Sequence, residues 1–217
     1  MCPWGVHTAT VTESSRTVPA RIALALAGLG FAAFPLLRPW GDDSADLLEV
    51  AAAFADPRWV IAHTLSMLAF IALALGLRAA QRTRLELGAW LGAALVLPFY
   101  GAEAFGLHAI GNAVVASGDV HRLAEAEAIR ADPIALAGFA LGLLFIAAVG
   151  LGFVVSAKGA GTLSMRIAAT IAGVGLVAYL PQFFLPAAGR ITHGVVLGVA
   201  LLVFAARVRA SESHDKR

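Results

Sequence analysis

The sequence predicts an all-α integral membrane protein with six transmembrane helices arranged as three hairpins. Of its 217 residues, 59% are hydrophobic and only 14% are charged, whereas a soluble domain is about 45–50% apolar and about 25% charged. The charged residues also leave long apolar runs uninterrupted, each close to the roughly 20 residues that cross a bilayer. The lipid bilayer is therefore the first expected partner of this chain.

Six apolar runs give the predicted spans, which form one domain from 20 to 207. The runs cover residues 20–38, 58–78, 86–107, 134–156, 165–186 and 190–207. The polar segments 1–19 and 208–217 are predicted to be a disordered tail and a second, shorter tail. The apolar stretch of the first run, 22–37, exceeds the signal-peptide core of about 7–15 residues. It therefore predicts a retained span, with a cleaved signal as the alternative.

The distribution of arginine and lysine predicts the orientation in the membrane. Cations concentrate in short cytoplasmic loops, and eleven of the 16 lie in or beside the tails and the turns 79–85 and 157–164. Both termini are therefore predicted to be cytoplasmic. Arginine outnumbers lysine fourteen to two, and alanine and glycine abound, which is typical of a GC-rich bacterial genome. We accordingly expect a multi-pass protein of a bacterial cytoplasmic membrane.

The two long outer loops are predicted to contain short amphipathic helices. Residues 47–77 laid on 123–153 share a leucine, a glutamate and the tripeptide Ala-Asp-Pro. Aspartate caps helices well and proline is favoured in the first turn, so each segment predicts a short helix, then Asp-Pro, then an inbound span. An internal duplication would explain the repeat, but apolar sequences also resemble one another by chance.

Pairs of glycines four residues apart predict close packing between the spans. They are Gly88 and Gly92, Gly138 and Gly142, and Gly194 and Gly198. Small residues at this spacing let helix backbones approach within a membrane, where hydrophobicity cannot drive helices together. We interpret them as packing positions of the bundle.

Glu103 is the candidate catalytic residue because it interrupts the apolar interior of the third span. It lies four residues inside the predicted outer end, a depth on the order of 6 Å. An ionised carboxylate at that depth is costly and should face protein or water and find a partner. Glu103 is therefore predicted either to form a structural ion pair with an arginine or to belong to a functional site.

Three histidines are predicted at the same level as Glu103. His63 lies near the start of the second span, His193 near the start of the sixth, and His108 at the end of the third. Imidazoles with one carboxylate suit zinc, iron or copper, so the four residues form a candidate metal site. Glu103 and His108 are five residues apart, about 140° around an α-helix. Pro98, Gly101 and Gly106 predict a distortion that could bring them together.

Further polar residues complete a predicted pocket. Tyr100 lies one turn before Glu103, and Gln182 and Arg190 belong to the proline-rich connection between the fifth and sixth spans. Irregular backbone at membrane depth is tolerated where it is buried in protein or lines a cavity. The alternative is a plain proline-terminated span, with Arg190 extending towards the lipid head groups.

Composition excludes several classes of function and leaves three open. The net charge of +2 gives no indication of nucleic-acid binding, and the single Cys2 excludes cysteine-rich metal clusters. The sequence holds no Walker loop, Gly-x-Ser-x-Gly or His-Glu-x-x-His motif. Three hypotheses remain. The chain forms a pocket that binds a metal or an apolar small molecule or that transfers protons. Alternatively, it is a small transporter, or a non-catalytic subunit bound to a partner membrane protein.

Overall fold

The computed structural model describes residues 7–159 and 161–208, and all regular structure within these ranges is helical. The long helices are α1 (His7–Leu37), α3 (Pro57–Ala79), α4 (Thr83–Gly101), α7 (Pro133–Ala157), α8 (Leu163–Val177) and α9 (Ala187–Arg207). Shorter helices are α2 (Leu47–Ala55), α5 (His108–Ser117) and α6 (Leu123–Arg130). A π-helix (Ala102–Leu107) joins α4 to α5, and 3-10 turns cover Val120–Arg122 and Pro181–Phe184.

The six long helices of the described chain form a closed ring around an apolar core. Each packs on its two neighbours in the order α1, α3, α4, α7, α8, α9, and α9 packs back on α1. One end of the ring carries the long connections 38–56 and 102–132, and we call it the long-loop end. The opposite end carries the short turns 80–82 and 158–162. The ring order places the ends of six helices around one axis, so side chains at a common level can meet.

Five helical segments of the described residues are long and apolar enough to cross a membrane. They are Thr17–Leu37, Pro57–Ala79, Thr83–Ser117, Pro133–Ala157 and Ala187–Arg207. Helix α8 is also apolar, but its 15 residues fall short of the roughly 20 that span a bilayer. Many large apolar side chains on these helices point outwards, as contact with lipid requires. The chain is thus an all-helical protein whose apolar helices indicate several membrane spans.

The N-terminal helix begins earlier than the sequence predicts. The polar residues 7–19 belong to α1, although a disordered tail was expected over 1–19. Helix propagation is easier than helix nucleation, so a long apolar helix can continue into a polar flank that contains no glycine. The remaining residues of the two predicted tails, 1–6 and 209–217, lie outside the described residues. At the other end, α9 stops at Arg207.

Both Asp-Pro sequences begin a long helix, as predicted. The Asp56 carboxylate accepts a hydrogen bond from the Arg58 amide at 2.8 Å, and the Asp132 carboxylate accepts one from the Ala135 amide at 2.8 Å. Short helices precede both sites, α2 in the first case and α6 in the second. Helix α2 packs on α5, so the first long connection folds back over the long-loop end.

Glycines allow the backbones of neighbouring helices to touch. A Cβ atom added at Gly142 would lie 2.9 Å from the Gly92 carbonyl oxygen, and one at Gly198 would lie 2.5 Å from the Gly28 carbonyl oxygen. Gly92, Gly142 and Gly198 therefore lie at the close contacts that the sequence predicts. Gly138 does not, because a Cβ at that position would meet nothing within 4 Å.

We expect Gly198→Leu to destabilise the bundle and Gly138→Leu to leave it intact. The side chain at 198 would collide with the α1 backbone, which cannot move aside without opening the contact between α1 and α9. Overpacking of this kind costs about 1–3 kcal/mol, whereas the change at 138 should stay within about 0.5 kcal/mol. Unfolding of both purified variants in nonionic detergent measures the difference. Equal stability of the two variants would contradict the packing described here.

Candidate functional site

A cavity of about 540 Å³ lies at the long-loop end of the ring. Its volume falls within the range of about 300–1,000 Å³ that is common for small-molecule pockets. Helices α1, α3, α4, α7 and α9 contribute to its wall, together with the π-helix, the C-terminus of α6 and the connection after α8. The predicted site residues in the wall are His63, Tyr100, Glu103, Gln182, Arg190 and His193. His108 is not among the residues that line the cavity.

Aromatic side chains form much of the cavity wall. The Phe34 and Tyr100 rings lie 5.6 Å apart between centroids, and the Phe139 and Phe183 rings lie 5.5 Å apart. Tyr179, in the connection that follows α8, contacts the rings of Phe31 and Phe183 and completes this part of the wall. Edge-to-face contacts at such distances stabilise aromatic pairs. The wall therefore offers a largely apolar, rigid surface to whatever enters.

Among the described residues, the buried polar side chains that begin at the cavity mouth extend into the bundle as far as Ser66. The Ser66 hydroxyl lies 3.3 Å from the Tyr179 hydroxyl, and both side chains are buried. The Tyr100 hydroxyl is also buried, with no hydrogen-bond partner in the described part of the chain. Towards the short turns, the core consists of residues such as Leu73, Leu77 and Phe153. The cavity therefore has polar residues at its opening and the apolar core of the bundle at its inner end.

Four charged residues form a continuous chain of ion pairs at the mouth of the cavity. Arg38 Nη2 donates to Asp42 Oδ2 at 2.6 Å, and Arg130 Nη2 donates to the same oxygen at 2.9 Å. Arg130 Nε also donates to Glu103 Oε1 at 3.0 Å, while Nη2 lies 3.3 Å from Glu103 Oε2. Two cations and two anions thus neutralise one another, and both carboxylates are largely buried. We call these residues the ion chain.

The electrostatics of the ion chain favour its charged form. Burial would raise the pKa of Asp42, but the charges of Arg38 and Arg130 and their hydrogen bonds outweigh it, so that the pKa lies below its usual value. Burial would lower the pKa of Arg130, but Glu103 and Asp42 hold the pKa above its usual value. Asp42 and Arg130 therefore remain ionised at neutral pH and hold each other in place.

The π-helix carries Glu103 into the wall. Pro98 lacks a backbone N–H, and glycines stand at 101 and 106, so the α-helical hydrogen-bond pattern changes here. The predicted distortion of this helix is therefore present, as a π-helix over Ala102–Leu107. Trp59 fixes the segment further, because its indole nitrogen donates to the Glu103 carbonyl oxygen at 2.7 Å. π-Helical turns within α-helices are frequent at functional sites.

His63 presents a free acceptor towards Glu103. Its Nδ1 lies 2.7 Å from the Trp59 carbonyl oxygen, and since a carbonyl can only accept, Nδ1 must carry the hydrogen. In the neutral imidazole, Nε2 is then an acceptor, and it lies 3.8 Å from Glu103 Oε2. Two acceptor atoms thus face each other beyond hydrogen-bond distance. Both residues line the cavity, so a hydroxyl or amine of a bound molecule could donate a hydrogen bond to Nε2 from the cavity side.

The other two histidines make comparable backbone contacts at separate places. His193 Nε2 donates to the Gly175 carbonyl oxygen at 2.8 Å, and the ring lines the cavity. His108 Nδ1 donates to the Phe54 carbonyl oxygen at 2.7 Å, and its ring therefore faces α2. The predicted distortion does not bring His108 beside Glu103 in the cavity.

The structure gives the predicted metal site no support. No group of three or more histidine, cysteine, aspartate or glutamate side chains in the described chain could hold a metal ion. Of the four predicted ligands, the structure brings His63 and Glu103 together. Both carboxylate oxygens of Glu103 already accept hydrogen bonds from Arg130, which makes this carboxylate a poor metal ligand.

The connection between α8 and α9 supplies Gln182 and Arg190. The Gln182 side chain is buried in the wall, within the 3-10 turn that follows Pro181. Arg190 donates from Nε to the Leu185 carbonyl oxygen at 3.0 Å and from Nη2 to the Phe183 carbonyl oxygen. Arg190 thereby satisfies carbonyls that the irregular backbone leaves without helical partners. Its guanidinium is bound to protein, in contrast to the alternative in which it extends to head groups.

Sequence reasoning missed four residues of this site. The sequence patterns singled out none of Arg38, Asp42, Trp59 and Arg130. The side chains of Arg38 and Trp59 are buried, and Arg130 is three-quarters buried. The available signal was the depth of Glu103, which requires a cation. Nothing in the sequence distinguishes Arg38 or Arg130 from the other outer arginines.

A comparison of the chain with protein-family models, curated proteins and solved structures gives no match. The cavity, its ion chain and its histidines therefore carry the functional argument. Their chemistry is that of a pocket with an apolar wall, a neutralised charged mouth and a histidine acceptor beside a carboxylate.

We expect Arg130→Met to destabilise the protein by about 3 kcal/mol. Glu103 would lose its arginine partner and Asp42 would lose one of its two arginine partners, while both carboxylates would remain buried. Adding Glu103→Gln should recover part of the loss, since the uncompensated carboxylate is removed. Arg122→Gln is the matched control: it breaks an exposed pair with Glu125, worth at most about 1 kcal/mol. Denaturation of the single and double variants in detergent tests this coupling. Strictly additive effects would contradict it.

Proposed function

We propose that this chain is a multi-pass protein of a bacterial cytoplasmic membrane that binds an amphiphilic small molecule in the cavity at the long-loop end. The single observation that carries the proposal is the composition of the cavity wall, in which an aromatic lining adjoins a charged mouth. A purely apolar molecule would leave the mouth unused, and a purely polar one would leave the aromatic wall without contacts. An amphiphile satisfies both.

The proposal includes six transmembrane spans arranged as three hairpins. Helix α8 and the following turn to Phe184 together supply 22 residues, about the number that a span requires. The charge distribution favours both termini in the cytoplasm. The cavity then lies in the extracytoplasmic half of the bundle. An amphiphilic molecule could enter it from the outer leaflet of the bilayer.

The apolar interior favours a binding pocket over a transport path. A transported polar solute or proton needs polar groups along its route. Below the Ser66–Tyr179 pair, the core of the described helices is built from alanine, leucine, valine and phenylalanine. An accessory subunit that only holds a partner protein would have no need of a cavity of this size. Both alternatives are therefore less consistent with the geometry than a binding function.

A second candidate function is proton transfer to or from the bound molecule. It is favoured by the 3.8 Å approach of His63 Nε2 to Glu103 Oε2. An acidic hydroxyl of a ligand that donates to His63 Nε2 from the cavity could pass its proton to the imidazole and remain as an oxyanion, and Glu103 would stabilise the imidazolium that forms. In this proposal Glu103 acts beside His63, and zinc, iron or copper is not required. Tyr100, Gln182, Arg190 and His193 are then wall residues that orient the ligand.

We expect Ala140→Trp to empty the pocket. Ala140 lines the cavity, and an indole there would fill much of its volume. Native mass spectrometry of protein extracted with its surrounding lipid should show one small molecule per wild-type chain and its loss in Ala140→Trp. Ala148→Trp is the matched control, because Ala148 lies on the same helix and is exposed. If the wild type carries no molecule that Ala140→Trp loses, the binding function is wrong.

We expect residue 45 to be extracytoplasmic and residue 161 to be cytoplasmic. With Cys2 replaced by serine, Ala45→Cys and Gly161→Cys each place one thiol in a connection at opposite ends of the ring. A membrane-impermeant maleimide applied to intact cells should label the first and spare the second until the cells are lysed. The reverse pattern would contradict the proposed orientation and would place the cavity in the cytoplasmic half.

A further inference from the structure

Arg190 is an arginine of the cavity mouth that forms no ion pair within the described residues. The ion chain balances two arginines against two carboxylates. Arg190 lines the same cavity, and no carboxylate of the described residues lies within 4.0 Å of its guanidinium. Its bonds to the carbonyls of Phe183 and Leu185 orient it without neutralising it. Asp43, the remaining acid of the wall, is exposed.

Arg38 adds a second, incompletely satisfied guanidinium. Its Nη2 is bound to Asp42, but its Nη1 is buried and has no hydrogen-bond partner in the described part of the chain. The side chain is 93% buried, with 7% exposed. A buried donor without a partner is unfavourable, and more so when the group is charged. An oxygen atom of a ligand would remove this cost.

Trp40 brings the two guanidiniums to one place. The Arg38 guanidinium lies 4.5 Å from the centre of the Trp40 ring, and that of Arg190 lies 5.7 Å from it. The ring itself is anchored, because its nitrogen donates to the Pro35 carbonyl oxygen at 3.1 Å. Asp42 binds Arg38 Nη2, which leaves Arg38 Nη1 and the guanidinium of Arg190 to interact with a ligand. Guanidinium groups form strong, charge-assisted hydrogen bonds with carboxylate and phosphate oxygens.

The apolar part of the cavity continues to the surface of the ring. Leu136 of α7 and Phe184 and Leu185 of the connection line the cavity and are also exposed, Phe184 to 87%. In a membrane these side chains face lipid. A hydrocarbon chain could therefore leave the cavity between α7 and the 181–185 segment while its head group remains at the arginines.

We propose that the ligand of the pocket is an anionic amphiphile whose carboxylate or phosphate lies at Arg38 and Arg190. Its hydrocarbon chain contacts the aromatic wall and leaves the ring beside Leu136 and Phe184. This inference rests on the proposed binding function and specifies the charge of the head group. A cationic head group is disfavoured, because the carboxylates of the ion chain, Asp42 and Glu103, are already paired with Arg38 and Arg130. An anionic head group is favoured for this reason.

The test compares lipids that share an 18-carbon oleoyl or oleyl chain and carry either an anionic or a neutral head group. The probes are 1-oleoyl lysophosphatidic acid against monoolein, and oleate against oleyl alcohol, bound to the full chain in nonionic detergent. We expect the wild type to bind at least one anion about tenfold more tightly than its neutral counterpart, since favourable charged contacts commonly reach this size. Arg190→Gln should reduce the ratio to below about twofold.

Two variants separate the effect of charge from that of folding. Arg190→Lys keeps the charge and should retain most of the preference, and Arg122→Gln, an exposed arginine outside the cavity, should retain all of it. A preference that survives intact in folded Arg190→Gln overturns the assignment. If Arg190→Gln does not fold, the wild-type ratios decide, because ratios near one in both pairs also overturn it.

The outcomes also distinguish this inference from the proposed function. If charged and neutral lipids bind equally, and Ala140→Trp abolishes both, the pocket stands and the anionic head group is wrong. If neither binds in a way that Ala140→Trp affects, the binding function itself fails for these lipids and the inference fails with it. Inorganic phosphate and acetate are the head-group-only probes. If either ion alone binds as tightly as the lipid, the site takes a free anion and the lipid source is wrong.

Discussion

The ion chain determines how the long-loop end is built. Arg38 and Asp42 lie in the connection that follows α1. Glu103 lies in the π-helix, and Arg130 is the last residue of α6. Segments far apart in the sequence are thereby joined, Arg130 being 88 residues from Asp42. In a medium of low dielectric constant each of these charges requires an opposite charge nearby. The second long connection must therefore fold back onto the bundle, and in doing so it forms the mouth of the cavity.

The same pairing restricts the chemistry of the cavity. Because Arg130 binds both oxygens of Glu103, the carboxylate is held in a fixed orientation and is a poor ligand for a metal ion. His63, fixed by the Trp59 carbonyl, then offers Nε2 to the cavity. A histidine acceptor beside a neutralised carboxylate can accept or orient a hydrogen, whereas a free carboxylate would attract cations. The ion chain thus makes the site less suited to a metal ion and leaves a histidine acceptor in the cavity wall.

The sequence predicted the depth of the site residues but not their directions. Helix starts and the rise per residue suffice to put His63, Glu103 and His193 at one level, and the structure has them in one cavity wall. Direction around a helix depends on local geometry, and the π-helix at 102–107 leaves His108 facing α2. The partners of Glu103 could not be inferred, because Arg130 reaches it through the path of a loop. Loop paths depend on tertiary contacts that periodicity does not encode.

The location of the cavity follows from where small and large side chains alternate along the helices. Gly28 of α1 and Gly142 of α7 lie at backbone contacts, and there the helices approach too closely for any space to remain. One turn nearer the long-loop end, Phe31 on α1 and Phe139 on α7 line the cavity. The void with aromatic walls therefore begins next to these glycine contacts. The glycine contacts that close the bundle and the aromatic residues that leave it open are therefore parts of one packing arrangement.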